Sequence, residues 1–175
     1  MDPALLVVMG VSGCGKSTVG ALLGEALGLE FVEGDALHSV QNIARMASGV
    51  ALTDADRQEW LELLSARLAQ AAGQERGLVV SCSALKRAYR DILRRGAPGL
   101  LFVHLAGDAA LLAARTASRA DHYMPPSLLA SQLDILEPPG ADENALRLDF
   151  AQPPHAIVRS VLHVLRSGAP KSQAH

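Results

Sequence analysis

The sequence is short of cysteine, of aromatic residues and of surplus charge of either sign. Its two cysteines, Cys14 and Cys82, stand far apart and in no C-x-x-C pair. That excludes a disulfide framework and a cysteine-built zinc site, and it fits a reducing, cytoplasmic setting. Aromatic residues are 3% of the chain, too few for the stacking platforms that hold single-stranded nucleic acid. A formal net charge of −2 removes the broad basic field that nucleic acid or an acidic membrane surface requires, though not a local cationic pocket. No segment approaches the roughly 20 apolar residues of a membrane span. The run Ala4–Met9 is too short, and lacks the basic leader, for a signal peptide. The six histidines show no H-E-x-x-H or other close ligand spacing, so no protein-built metal cluster is expected. What the chain has is apolar bulk: 49% of its 175 residues are hydrophobic, enough for the core of one domain. We expect that domain over residues 1–168, with a flexible tail at 169–175.

Short apolar runs alternate with amphipathic stretches. Leu5–Met9, Leu29–Val32, Leu78–Cys82 and Leu100–Leu105 read as strands, with Ala145–Phe150 a weaker fifth. Helices are expected over Lys16–Leu27 with Gly28 as its stop, from a Thr53 or Asp54 cap through Leu61, Leu64 and Leu68, and over Leu85–Arg95. Others are expected from an Asp108 cap to about Arg119, from a Ser127 cap to Leu136, and through Ile157–Leu165. Strand–helix alternation implies an α/β fold, a parallel sheet with helices on both faces.

The strongest local signal is Gly10-Val11-Ser12-Gly13-Cys14-Gly15-Lys16-Ser17, followed by Thr18. It matches G-x-x-x-x-G-K-[ST] between an expected strand and an expected helix. Glycines let the backbone curl so that successive N–H groups point inward at phosphate oxygens, and the helix N-terminus adds partial positive charge. Lys16 then reaches the outer phosphates of a nucleotide and the Ser17 hydroxyl meets Mg²⁺. The chain has no N-K-x-D guanine reader, and its third strand ends in Ser81-Cys82-Ser83 rather than in a carboxylate. Both point away from GTPases and motor-type ATPases and toward a small kinase acting on a metabolite.

Acceptor chemistry is sought where the other strands end. Asp35 follows the second strand, on the side of the sheet where ligands gather, and a kinase needs a carboxylate there to orient a hydroxyl and take its proton. Arg57, Lys86 and Arg90 are cationic candidates for an anionic, hydroxyl-rich acceptor, Lys86 and Arg90 being four apart on one helix. For that pair a solvated helix face is an equal alternative. His38 and His122 fall in loops near the same crevice. Arg115 and Arg119 precede a break at Asp121–Pro126 that reads as a lid, about residues 119–127, whose arginines would stabilise the transferring phosphoryl group.

Several runs together resemble the bacterial-type gluconokinases among the P-loop small-molecule kinases. They are the glycine-rich loop, Gly34-Asp35-Ala36-Leu37-His38, Asn42–Gly49, Leu52–Arg57 with Trp60-Leu61, Cys82–Lys86 with Tyr89-Arg90-Asp91, His122-Tyr123-Met124-Pro125 and Ser131-Gln132. The resemblance implies the three-layer P-loop fold with strand order 2-3-1-4-5 and a small lid. It implies phosphorylation of D-gluconate at its 6-hydroxyl by ATP, with Mg²⁺, in a cytoplasmic homodimer. By that likeness Asp35 deprotonates the hydroxyl; Arg57, Lys86, Arg90 and His38 face gluconate; Arg115 and Arg119 form the lid pair. Ser39 and Glu59 stand where many relatives carry proline, and Arg45 where they carry lysine. A kinase for another acceptor, shikimate-like or a nucleoside monophosphate, and a nucleotide sensor without turnover are the competing readings.

Overall fold

The computed structural model describes residues 4–118 and 125–168. Five strands, β1 (Leu5–Met9), β2 (Glu30–Glu33), β3 (Leu78–Ser81), β4 (Leu101–Ala106) and β5 (Ala145–Asp149), form one sheet in the order β2-β3-β1-β4-β5. Every pairing is parallel. β1 lies at the centre, and Leu6, Val7, Val8 and Met9 are wholly buried, as a strand covered on both faces requires. The helices are α1 (Lys16–Leu27), α2 (Val40–Ala47), α3 (Asp54–Gly73), α4 (Arg87–Gly96), α5 (Ala109–Ala117), α6 (Pro126–Ile135) and α7 (Pro154–Ser167). α1 packs with α7 and α3 packs with α4, on the two sides of the sheet. Among the described residues no helix is long and apolar enough to cross a membrane.

Local chemistry sets the element ends. Thr53 caps α3 through a reciprocal box with Asp56: each side chain meets the other residue's backbone N–H. Asp108 caps α5 by accepting from the amides of Ala110 and Leu111. Gly28 closes α1 in the left-handed conformation.

Three expectations need correction. α6 starts at Pro126, behind Pro125, so Ser127 lies inside the helix and does not cap it. Ser127 therefore lies in the first turn of α6; residues 119–124 of the expected lid lie outside the described residues, as does the tail 169–175. α4 begins at Arg87 with Lys86 as its N-cap residue, two residues later than the sequence pattern implies. Finally, the segment after Asp35 holds a 3-10 turn (Gly34–Leu37) and then α2, which apolar periodicity does not announce. In α2 Val40 is 81% exposed while Asn42 is buried, its amide donating to the Asp56 carbonyl at 2.7 Å. Ser39, the departure from proline, caps α2 by accepting from Asn42 N–H at 3.1 Å.

β2 and β3 converge closely where the chain leaves the sheet. Gly34 N–H donates to Ser81 Oγ at 3.0 Å, and a Cβ on Gly34 would stand 1.9 Å from the Ser81 carbonyl oxygen. Backbone cannot yield there as a side chain would. Gly34→Ala should therefore destabilise the protein by about 1–3 kcal/mol or more, as core overpacking does, read as a lowered urea midpoint. An unchanged midpoint would contradict this packing.

Candidate active site

The glycine-rich loop joins the central strand to α1. Gly13 and Gly15 adopt φ values of +83° and +100°, open to glycine at no steric cost. No side chain caps α1 at Gly15, so its first turn opens onto the crevice without a competing oxygen from the N-cap residue. Lys16 Nζ donates to the Val11 carbonyl of its own loop at 3.1 Å. Cys14 is buried beneath the loop, its thiol pushed up in pKa by burial against the opposing pull of the Lys16 charge.

One crevice is lined by Ser12, Gly13, Gly15, Lys16, Ser17 and Thr18 from the loop together with Asp35, His38 and Arg57. The topology thus brings the phosphate-loop candidates and three of the acceptor candidates to one place, at the carboxyl ends of the strands. Four residues not singled out as site residues also line it: Met46, Leu52, Ser83 and Gln132. Ser17 presents an exposed hydroxyl in that lining. One hydroxyl beside a phosphate-binding loop fits Mg²⁺, which keeps most of its ligands as water and phosphate oxygens.

Trp60 organises the acceptor side. Its indole N–H donates to the Gly34 carbonyl at 2.7 Å, fixing the backbone next to Asp35. Its ring stacks on His38 at 4.0 Å between centroids and 19° between planes. His38 is buried with Nδ1 unpaired, and burial drives its pKa down to about 4, with Arg57 lowering and Asp35 raising it. The ring is therefore neutral at pH 7, one nitrogen a donor and the other an acceptor, suited to hydroxyl groups.

Arg57 is buried in a network. Its Nη1 donates to the Leu52 carbonyl (2.8 Å) and to Tyr89 Oη (3.2 Å). The Tyr89 hydroxyl donates to Asp54, which also receives the Lys86 ammonium at 2.9 Å. Hydrogen bonds from Tyr89 and then Lys86 hold the Asp54 carboxyl below its ordinary range. Lys86 stands outside the crevice lining, engaged with Asp54. Arg115 donates to the Phe150 carbonyl at 2.9 Å and lies over the Phe150 ring, also away from that lining. Arg119 and His122 lie outside the described residues.

Arg90 departs from the expected acceptor-facing position. It is 0% exposed, and both guanidinium edges are taken: Nε and Nη2 donate to Glu143 at 2.7 and 2.8 Å, Nη1 to the Ala84 and Leu85 carbonyls. Ala84 has φ +45°, a left-handed conformation unusual for alanine, in the turn that carries Ser83 to the crevice. Arg90 thus braces that turn from behind. Its spacing from Lys86 placed both on one face, but the partner that decides its role is 53 residues away. Burial raises the Glu143 pKa, but bonds from Arg90, the Gly140 N–H and Arg94 outweigh it and bring the value to about 2.

Fold and loop define the class, a P-loop kinase, and sequence kinship gives the family. A family model described as an AAA domain matches residues 5–139. The chain is 44% identical to the gluconokinase of Gluconobacter oxydans, over 93% of this chain and 91% of that one. It is 41% identical to the thermoresistant gluconokinase of Escherichia coli, over 95% and 96%. The crystal structure of a gluconokinase from Sinorhizobium meliloti superposes with a TM-score of 0.86 at 50% identity, covering 96% of this chain and 94% of that one. The chain belongs to the gluconokinase family.

A depressed carboxylate pKa contributes stability that is present above the unfolded value, near 4.5 for Glu143, and is lost as pH falls toward about 2. Arg90→Met leaves that carboxylate buried without its main partner, which costs about 3–5 kcal/mol. Urea unfolding at pH 7 should show the loss, and the gap between variant and wild type should narrow between pH 4.5 and pH 2. A variant as stable as wild type at pH 7 would contradict the bracing role.

Proposed function

We propose that this protein transfers the γ-phosphoryl group of ATP to the 6-hydroxyl of D-gluconate, giving 6-phospho-D-gluconate and ADP. The observation that carries the reading is the meeting of Lys16 and Asp35 in one crevice, within a chain of the gluconokinase family. The phosphate loop, Gly10 through Thr18, holds the nucleotide's phosphates, and Lys16 leaves the Val11 carbonyl to meet the outer ones. Mg²⁺, held at Ser17, neutralises phosphate charge when bound. Asp35 aligns the acceptor hydroxyl and takes its proton as the new O–P bond forms and the bond to the ADP oxygen breaks. Arg57 uses the guanidinium edge not engaged by Leu52 and Tyr89 for the gluconate carboxylate, a charge-assisted bond. Neutral His38 meets the sugar hydroxyls.

Lys86 serves by fixing Asp54 and, through Tyr89, Arg57. Arg115 and Arg119 supply the lid-side cations, with His122 beside the acceptor. The domain spans residues 1–168, with a lid about residues 119–127. Most of the rate enhancement is positioning and charge stabilisation in a closed site. The setting is cytoplasmic and the enzyme a homodimer, as the family resemblance implies. Light scattering should then give twice the 18.4 kDa chain mass, and a monomer would remove the dimer from the reading.

The direct test is ADP release with ATP and Mg²⁺ against D-gluconate, other sugar acids, shikimate and nucleoside monophosphates. Turnover should be confined to gluconate, and Asp35→Ala should lower kcat by about 10²–10⁴-fold, the loss expected for a general base. Turnover on another acceptor alone would overturn the substrate, and a folded Asp35→Ala enzyme at full kcat would remove Asp35 from its role.

A further inference from the structure

Gln132 lines the crevice and belongs to neither the phosphate loop nor the acceptor set. Gln132 is carried on α6, 120 residues from the loop, and is 8% exposed. Its Oε1 accepts from the Ser12 backbone N–H at 2.7 Å. Ser12 lies inside the G-x-x-x-x-G-K-S run, whose inward N–H groups are the donors that phosphate oxygens use. A backbone N–H can only donate, so the end of the amide facing it has to be the oxygen. That oxygen takes up a donor of the phosphate loop, and both residues line the crevice. The Val11 carbonyl plays the same part for Lys16 Nζ, at 3.1 Å. Two donors of the loop are thus both satisfied by acceptors of the protein itself.

We propose that Gln132 is a further residue of the phosphoryl-transfer site, one that reads the terminal phosphate of ATP. The inference rests on the loop's role in holding that nucleotide. A carboxamide is suited to the task because its two ends have opposite hydrogen-bonding sense on one side chain. When the terminal phosphoryl group takes the Ser12 N–H, Oε1 gives way and the NH₂ end donates to the same phosphate. The loop is then never left with an unsatisfied donor, and ATP, not ADP, completes the exchange.

The placement of α6 connects this exchange to the acceptor side. Leu128, one turn before Gln132, forms a small apolar cluster with Met46 of α2 and Leu52, separate from the main core. The Leu52 carbonyl in turn holds Arg57 at 2.8 Å. Gly49 lies against Ser127 and Pro125, where a Cβ would come within 3.6 Å of Ser127 Oγ. Gln132 thus sits on a helix that touches both the phosphate loop and the support of Arg57.

Two substitutions separate this role from a merely structural one, because they order oppositely. Gln132→Glu keeps an acceptor for Ser12 N–H and strengthens it with charge, but turns a carboxylate toward phosphate. Gln132→Leu removes both ends and adds no charge. The inference expects ATP affinity to fall in the order wild type, Leu, Glu. Gln132→Glu should lose about tenfold or more for ATP, the scale of a like-charge contact in a site shielded from solvent, and markedly less for ADP. A role limited to holding α6 on the loop gives the reverse order, Glu close to wild type and Leu impaired, with ATP and ADP affected alike. That result would overturn the inference.

Binding is measured by calorimetry with Mg²⁺, alongside thermal melting of each variant. Should Gln132→Glu fail to fold, Gln132→Met, of matching length without either hydrogen-bonding end, takes its place: it should weaken ATP more than ADP, and equal loss for both would count against the role. Lys16→Ala serves as the control for the loop. If wild type itself fails to bind ATP, the nucleotide reading itself fails. If Lys16→Ala loses ATP while Gln132→Glu does not, only the present inference fails.

Discussion

A strand buried on both faces can spare no polar group, yet the chain leaving β1 has to present a row of bare N–H groups to a charged ligand. The loop at Gly10–Ser17 resolves that conflict. Val8 and Met9 are wholly buried, and within six residues the backbone has passed through Gly13 and Gly15 at positive φ into the open first turn of α1. The rest of the molecule is arranged around this conversion of buried strand into exposed donor array. The parallel neighbours β3 and β4 fix the direction of β1, so the carboxyl ends that bear Asp35 and Ser83 gather where the loop opens.

The acceptor side follows a different rule, since its charges are held by neighbours instead of by the sheet. Trp60 ties both the Gly34 backbone and the His38 ring, so one indole helps set the main chain next to a carboxylate and the orientation of an imidazole. Arg57, Tyr89, Asp54 and Lys86 form a second chain of bonds running outward from the crevice to solvent. In both arrangements a buried aromatic side chain helps hold a residue of the crevice in place, which lowers the ordering that binding would otherwise require.

Much of this was legible in the residues. The strands announced themselves because fully buried runs such as Leu78–Ser81 are continuous and apolar, and the phosphate loop because its spacing has few structural alternatives. α2 escaped notice for a physical reason: it buries Asn42 and exposes Val40 and Ile43, the reverse of the pattern on which helix recognition rests. Arg90 and Lys86 are four apart and looked equivalent, but one is wholly buried against Glu143 and the other reaches a surface carboxylate. Pairings across 53 or 120 residues leave no mark on local sequence, which is also why Gln132 entered only through the family resemblance of Ser131-Gln132 and with no role assigned.

The cysteine inside the phosphate loop has a chemical consequence of its own. A thiol becomes a strong nucleophile, and a target for peroxide or alkylating agents, only as the thiolate. Cys14 lies within a turn of a lysine and at the start of a helix, surroundings that usually favour that anion, but it is 2% exposed and burial raises its pKa overall. Cys82, at the end of the neighbouring strand, is wholly buried and pushed up to about 12. Both therefore persist as neutral thiols at physiological pH and serve as packing atoms. The loop thus keeps at its centre a sulfur that is buried and held in its less reactive, protonated form.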